Sequence, residues 1–453
     1  MCGITGLISI SNKKVIYDLY ESLYHLQHRG QDSYGFVTVN NNIINYSKNK
    51  GLISENNIDD LDGNIGIGHV RYRTFGKIGI TETQPLIKNG KHKVILVHNG
   101  HISLSEQLIK FCKYNKINYD TNSDSELLLN ILSNEINKYD ILTDDIIQKI
   151  IYHLIIIIEG SFSVIAIIVG YGMVVFKDKH SIRPLIYGKK GNDYLISSES
   201  VSLDCLGYDT INDIYGGDIL IFRNNQVIKH DISKSINFEM KPCIFEWIYL
   251  ARADSTIYGV SVYQARMKMG EILAKKIKKE IIINQFDYVV PIPDASRPCA
   301  QSISTALNIP YIEAIIKNRY VNRTFIMSNQ KLRQKNIKKK LNVISQFVKG
   351  KNLIIVDDSI VRGNTMKHIT QLLLKKGANK IVVVSCSPEI KFKNKYGIDI
   401  PNNNDLISYH KTPEEIARYY QIDKVIFQDL KDLTKSIQFF NNTIKNFELS
   451  IFG

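Results

Sequence analysis

The stretch LIIVDDSIVRGNT, residues 353–365, constrains this chain more than any other. An apolar run delivers two adjacent carboxylates, and a short loop through Gly363 then opens a helix. A strand that hands over to a helix in this way predicts a parallel sheet covered by helices. Backbone N–H groups of such a loop and of the following helix N-terminus cradle a phosphate. Asp357 and Asp358 suit a ribose diol and, directly or through it, a hard cation such as Mg²⁺. The flanking pattern agrees. KNLIIVDDS reads as a strand, TMKHITQLLLKKGANK as a helix ending at Gly377, and IVVVSCS as the next strand.

Residues before about 239 follow a different rhythm. CGITGLISI, KVILVHNGHIS, SVIAIIVGYGMVVF and GDILIFRNNQVIKHDI are short or alternating apolar runs punctuated by Gly and Asn, the signature of antiparallel strands. Helical spacing appears in YDLYESLYHLQHRG and SDSELLLNILSNEI. A polar connector, HDISKSINFEMKP, separates the two rhythms. The expectation is therefore an α+β domain of antiparallel sheets over 2–238 and an α/β domain over 239–453, two unlike units that suggest two coupled chemistries.

Several classes are disfavoured. The most apolar stretch, IIYHLIIIIEGSFSVIAIIVGYGMVVF, is broken by His153, Glu159 and Gly160, short of the ~20 clean residues a membrane span needs. It reads as a buried helix end running into two core strands. Residues 1–30 lack the basic and apolar regions of a signal peptide, so a cytoplasmic protein is expected. Six scattered cysteines without a CxxC predict neither a zinc ribbon nor a disulfide framework. The net charge of +14 is accompanied by no nucleic-acid-reading motif, and it sits in a chain biased throughout toward Ile, Asn, Lys and Tyr. No nucleic-acid or membrane partner is expected.

The chain opens MCGITG. Removal of Met1 would leave Cys2 with a free α-amine, which titrates near ~7.7–8.0. Thiol nucleophile and amine base then share one residue, an arrangement known for N-terminal threonine.

These motifs carry a resemblance. The run 353–365 resembles the phosphoribosyl-diphosphate loop of type I phosphoribosyltransferases, most closely that of the amidophosphoribosyltransferase family. The likeness extends through FEWIYLARADS, YQARMKMGEILAKKI, VVPIPDASRPCA, KNRYVNRTFIMSNQ, YGIDIP and VIFQDL, and in the first half through LQHRGQDSYG, GHVRYRTFG, LVHNGHI and TNSDSE. Essentially the whole chain is covered. The resemblance implies an N-terminal-nucleophile glutaminase domain of sandwiched sheets fused to a phosphoribosyltransferase domain. It assigns Cys2 as nucleophile, Asn99 and Gly100 as the oxyanion hole, Arg71 to the glutamine carboxylate and Asp124 to its ammonium. For phosphoribosyl diphosphate it implies Asp357, Asp358, Ser359, Arg362, Gly363 and Thr365, with one Mg²⁺ per subunit at Asp357 and Asp358. Lys317, Arg319 and Arg323 belong to a basic segment, 317–340, that in the family closes over the diphosphate. Purine nucleotides are implied as feedback inhibitors, and a homotetramer or homodimer as the assembly.

Three positions depart from the family pattern. Asn364 replaces a Thr of the usual RGTT, and Ala295 stands where a hydroxyl is usual; whether Ser296 substitutes is left open by the sequence. Some relatives hold an iron–sulfur cluster through four cysteines. Here only Cys243 stands at such a position, Asn394 occupies another, and FELSIFG carries no CxxC; one thiolate does not hold a cluster, so none is expected. The implied activity makes phosphoribosylamine, glutamate and pyrophosphate from glutamine, water and phosphoribosyl diphosphate. A glucosamine-6-phosphate synthase-like enzyme would share the first half but has no use for VDDSIVRGNT. A phosphoribosyl-diphosphate-sensing regulator would have no use for a glutaminase.

Overall fold

The computed structural model describes residues 2–11, 13–54, 59–72, 82–118, 123–318, 341–398, 400 and 402–453. The first half is a four-layer sandwich. One sheet runs, in spatial order, β11 (Asp209–Asp213), β9 (Ile186–Lys190), β10 (Asp193–Ser197), β1 (Gly3–Ile8), β4 (Ile65–Arg71), β2 (Ser33–Asn40) and β3 (Ile43–Lys50). The second runs β13 (Gln226–Asp231), β12 (Asp218–Arg223), β8 (Gly172–Lys177), β7 (Glu159–Ile168), β6 (Val94–Ser103) and β5 (Leu86–Lys88). Neighbouring strands pair antiparallel in both.

Side-chain alternation divides the apolar residues between layers. Ile4, Val37, Ile67, Val97, Ile165 and Val175 fill the space between the sheets. Leu7, Phe36, Val70 and Leu195 face α1 (Ile16–His25) instead. On the opposite side, α2 (Glu106–Tyr114), α3 (Asp124–Ile136) and α4 (Asp144–Ile157) cover the second sheet. The apolar stretch around residue 160 is, as its interruptions predict, the end of α4 followed by β7 and β8. Among the described residues, no helix is long and apolar enough to cross a membrane.

The second half is doubly wound. Its sheet orders β16 (Tyr288–Pro291), β19 (Asn352–Asp357), β20 (Lys380–Ser385) and β21 (Lys424–Phe427), all parallel. On one face lie α6 (Val262–Glu280), α7 (Arg297–Leu307) and α11 (Leu430–Gln438). On the other lie α8 (Asn364–Lys375) and α10 (Pro413–Tyr420). Short pieces complete the chain: α5 (Ser200–Leu206), α9 (Ile407–His410), and the hairpins β14 (Thr256–Ile257) with β15 (Val260–Ser261) and β17 (Ile315–Lys317) with β18 (Leu341–Val343).

Charged side chains stitch the halves together. Arg29, Arg183, Glu199 and Glu246 are all buried. Arg29 reaches Glu199 through Nε and Glu246 Oε2 at 2.7 Å through Nη2; Arg183 Nη1 reaches Glu246 Oε1 at 3.2 Å. From the second half, Ser255 Oγ (2.6 Å) and the Arg252 backbone N–H (3.0 Å) donate to Glu199 Oε2. Burial works to raise the Glu199 carboxyl, but Arg29 beside it holds it far below the carboxylate range. Buried charges are tolerated when paired and hydrogen-bonded in this way.

Candidate active sites

The first site forms at one end of the central strands β1 and β4, against β6 of the other sheet. The antiparallel register sets Gly3 opposite Val70, so one further step places Cys2 beside Arg71. Asn99 and Gly100 come from β6 in the other sheet. The Cys2 backbone N donates to Asn99 Oδ1 at 3.2 Å, and Cys2 Sγ lies 4.0 Å from the Tyr72 carbonyl. Asn99 is fully buried, and no acceptor among the described residues reaches its Nδ2. A buried donor without a partner is costly, unless an anion forms beside it during turnover. Gly100 is obligatory by close approach: a Cβ there would lie 1.9 Å from the Ser161 carbonyl oxygen.

Asp124 opens α3. Its Oδ2 accepts from Ile102 N at 3.0 Å and its Oδ1 from Ser125 N at 2.9 Å, with His101 Nδ1 at 3.5 Å from Oδ2. Burial works to raise this carboxyl, but the hydrogen bond from His101, with nearby His98 and the Ile102 N–H, brings it down to about 2. It stays ionised near neutral pH, as the expected role of holding an ammonium requires. The Arg71 Nη2 lies 2.6 Å from Glu82 Oε2. Glu82 is a neighbour the sequence did not single out. Also unforeseen is a buried bracket that ties β6 to α3. His98 N donates to Gln84 Oε1 (2.6 Å), Gln84 Nε2 donates to Ser125 Oγ (3.0 Å), and Ser125 Oγ lies 3.0 Å from His98 Nδ1.

The second site sits at the carboxyl ends of the parallel strands, where doubly wound sheets bind ligands. Asp357 ends β19; Asp358 N donates back to its Oδ1 at 3.0 Å, and Ser359 Oγ donates to Asp358 Oδ1 at 2.8 Å. Burial, and then the charge of Asp358, push the Asp357 carboxyl well above its usual range. Two crowded carboxylates of this kind gain from a bound cation, so they fit Mg²⁺. Gly363 caps α8 at φ +75°, and a Cβ on it would come within 2.5 Å of the Tyr420 hydroxyl. Asn364 and Thr365, the first residues of α8, are exposed, and Arg362 lies 3.9 Å from Asp405. Lys317 Nζ pairs with Asp294 Oδ2 at 2.6 Å, and Arg297 Nη1 with Asp294 Oδ1 at 2.6 Å. Asp294 thus joins the site, although only its neighbour drew notice in the sequence. Arg319, Arg323 and the segment to 340 lie outside the described residues. The Ser296 hydroxyl is buried and donates to the Ile292 carbonyl at 2.5 Å. It faces inward and does not stand in for the hydroxyl missing at Ala295.

Two family models match: the glutamine amidotransferase domain over residues 73–205 and the phosphoribosyl transferase domain over 261–405. The chain is 42% identical to an amidophosphoribosyltransferase of Pasteurella multocida, across 100% of this chain and 92% of that protein. Identity to the Escherichia coli amidophosphoribosyltransferase is 40%, with the same coverage of both. The solved structure of the glutamine phosphoribosylpyrophosphate amidotransferase from B. subtilis, complexed with ADP and GMP, superposes with a TM-score of 0.84 at 31% identity. That match covers 96% of this chain and 92% of the other.

Proposed function

This chain belongs to the amidophosphoribosyltransferase family, whose members catalyse the first step of purine biosynthesis, and from that premise we propose how its residues divide the work. It is a glutamine-dependent pentosyltransferase. Cys2 Sγ attacks the glutamine side-chain carbonyl. The free α-amine of Cys2 takes the thiol proton and returns it to the departing ammonia; water then hydrolyses the thioester. The observation that carries this reading is the Cys2–Asn99 pair. The amide oxygen of Asn99 holds the Cys2 nitrogen, while its unpartnered Nδ2, with the Gly100 N–H, receives the oxyanion. Arg71 takes the substrate carboxylate once Glu82 yields, and Asp124 takes the ammonium.

Ammonia then attacks C1 of phosphoribosyl diphosphate and pyrophosphate leaves. Asp357 and Asp358 would hold the ribose hydroxyls and Mg²⁺, which when bound supplies charge neutralisation for the diphosphate. Ser359, Arg362, Gly363 and Thr365 bind the 5′-phosphate, and Lys317, with Arg319 and Arg323, contacts the diphosphate. Covering the site keeps water from competing with ammonia. The decisive experiment is glutamate release from glutamine with and without phosphoribosyl diphosphate and Mg²⁺. Release is expected to be low until both are added; equal rates would mean the halves are uncoupled.

The departures give a second expectation. A lost neutral hydrogen bond is worth ~0.5–1.5 kcal/mol and one to a charged group ~1.5–3. With Ser296 turned inward, Ala295→Thr together with Asn364→Thr should lower the KM for phosphoribosyl diphosphate about ten-fold and leave that for glutamine unchanged. An unaltered KM would show that backbone N–H groups already carry those contacts.

We further propose a cytoplasmic homo-oligomer inhibited by purine nucleotides, supported by the ADP and GMP bound to the B. subtilis protein. Light scattering and inhibition assays with those two nucleotides check it. An iron–sulfur cluster does not fit. Burial pushes the Cys243 thiol up to about 12. Asn394 Oδ1 already accepts from Tyr396 N (2.8 Å) and Ile398 N (2.9 Å), and its Nδ2 lies 3.4 Å from Glu448 Oε2. Stoichiometric iron in the purified protein would overturn this.

A further inference from the structure

The second domain touches the first site directly, through a turn to which neither chemistry assigns a role. Tyr396 and Gly397 lie between β20 and α9, in the segment YGIDIP. Gly397 is buried at φ +94°, and a Cβ on it would stand 3.0 Å from the Gly100 carbonyl oxygen, 3.2 Å from the Gly100 carbonyl carbon and 3.5 Å from His101 Cβ. The bare α-carbon of Gly397 is thus seated on the peptide that joins Gly100 to His101.

The other side of that peptide is tied to the same turn. His101 N donates to Ser161 Oγ at 3.2 Å, and Ser161 Oγ donates to the Tyr396 carbonyl at 2.9 Å. Arg183 Nη2 donates to that carbonyl as well, at 2.5 Å. Arg183 belongs to the buried ion cluster that joins the halves, so the turn is anchored from the first domain by two donors.

We propose that the Tyr396–Gly397 turn is a positioning element for glutamine hydrolysis: the second domain holds the Gly100–His101 peptide, which fixes the Gly100 α-carbon and so the adjoining Asn99–Gly100 peptide that carries the Gly100 N–H. This rests on the assignment of Gly100 as an oxyanion donor. A donor aimed at a developing charge loses its value when displaced by a fraction of an ångström. The contact lies on no substrate, so the residues act only through the peptide they hold. Ammonia-dependent synthesis at the second site has no use for that peptide.

The test uses the full chain carrying Gly397→Ala and, separately, Ser161→Ala. Gly397→Ala adds a methyl that must push the Gly100 carbonyl, on a backbone that disfavours side chains; Ser161→Ala removes the tie from the opposite side. Both variants should lose about ten-fold in kcat for glutamate release, with the KM for glutamine within about two-fold of wild type. Ammonia-dependent synthesis and the rate of Cys2 alkylation by iodoacetamide should be unchanged. Wild-type glutamate release in both, a parallel fall of both activities, or impairment of only one variant would overturn the proposal. If Gly397→Ala does not fold, Ser161→Ala decides. Asn99→Ala separates the two layers of argument. If it keeps wild-type glutaminase, the oxyanion assignment itself has failed; if it loses activity while the other two variants do not, only this inference has.

Discussion

Cys2→Ala will abolish glutamine-dependent synthesis while leaving synthesis from high external ammonia intact. The thioester step has one nucleophile, and no other cysteine is placed to replace it. Cys112, Cys243, Cys299 and Cys386 are buried, and Cys205 lies on α5, which packs against α1 and β9–β11. Loss of a covalent nucleophile typically costs several orders of magnitude. The second site needs only ammonia, so its activity reports that the variant is folded. Glutamine-dependent turnover above about one thousandth of wild type would contradict the assignment. Intact mass supplies an independent check, since an active enzyme that retained Met1 would have no free α-amine on Cys2.

Asn99→Ala should lower kcat for glutamate release about 10²–10³-fold, the usual cost of one oxyanion donor. Two functions leave together: the acceptor for the Cys2 nitrogen and the Nδ2 donor. Asn99→Asp separates them, because it keeps an oxygen for the Cys2 nitrogen but offers no donor and adds negative charge. It should be at least as impaired as the alanine variant. A loss below ten-fold in Asn99→Ala would assign the oxyanion to other groups.

Much of this was legible in the sequence because it is written locally. The change from alternating strands to strand–helix alternation predicts antiparallel sheets followed by a parallel one, and that order is observed. VDDSIVRGNT predicts a loop with Gly363 at a helix start, and Gly363 caps α8. Cys2, Arg71, Asn99 and Asp124 could be nominated because each sits in a short motif. Their partners could not. Glu82 is an unremarked acid near Arg71, and only the folded edge brings Gln84 and Ser125 together under His98. The Ser161–Tyr396 bond joins residues 235 positions apart. Such pairs are set by how sheets and domains pack, and single polar contacts across that packing leave no periodic trace in the chain. The inward rotation of Ser296 is of the same kind, because a hydroxyl's direction follows from its backbone and not from its identity.

The buried ion cluster also bears on how freely such an enzyme can be taken apart. The first half contributes Arg29, Arg183 and Glu199, the second only Glu246. With the halves apart, this surface of the first would carry two guanidiniums against one carboxylate, and that of the second a glutamate without its arginine partners. Within the intact chain, where the cluster stays buried, removing the Glu246 carboxylate alone would leave a positive charge uncompensated at a cost of about 3–5 kcal/mol, a large share of what holds a domain of this size together. The halves are therefore not interchangeable parts. Splicing this glutaminase onto a different acceptor domain would require that domain to present a carboxylate at the place of Glu246, or the exchange of Arg29 and Arg183 for apolar residues that pack equally well.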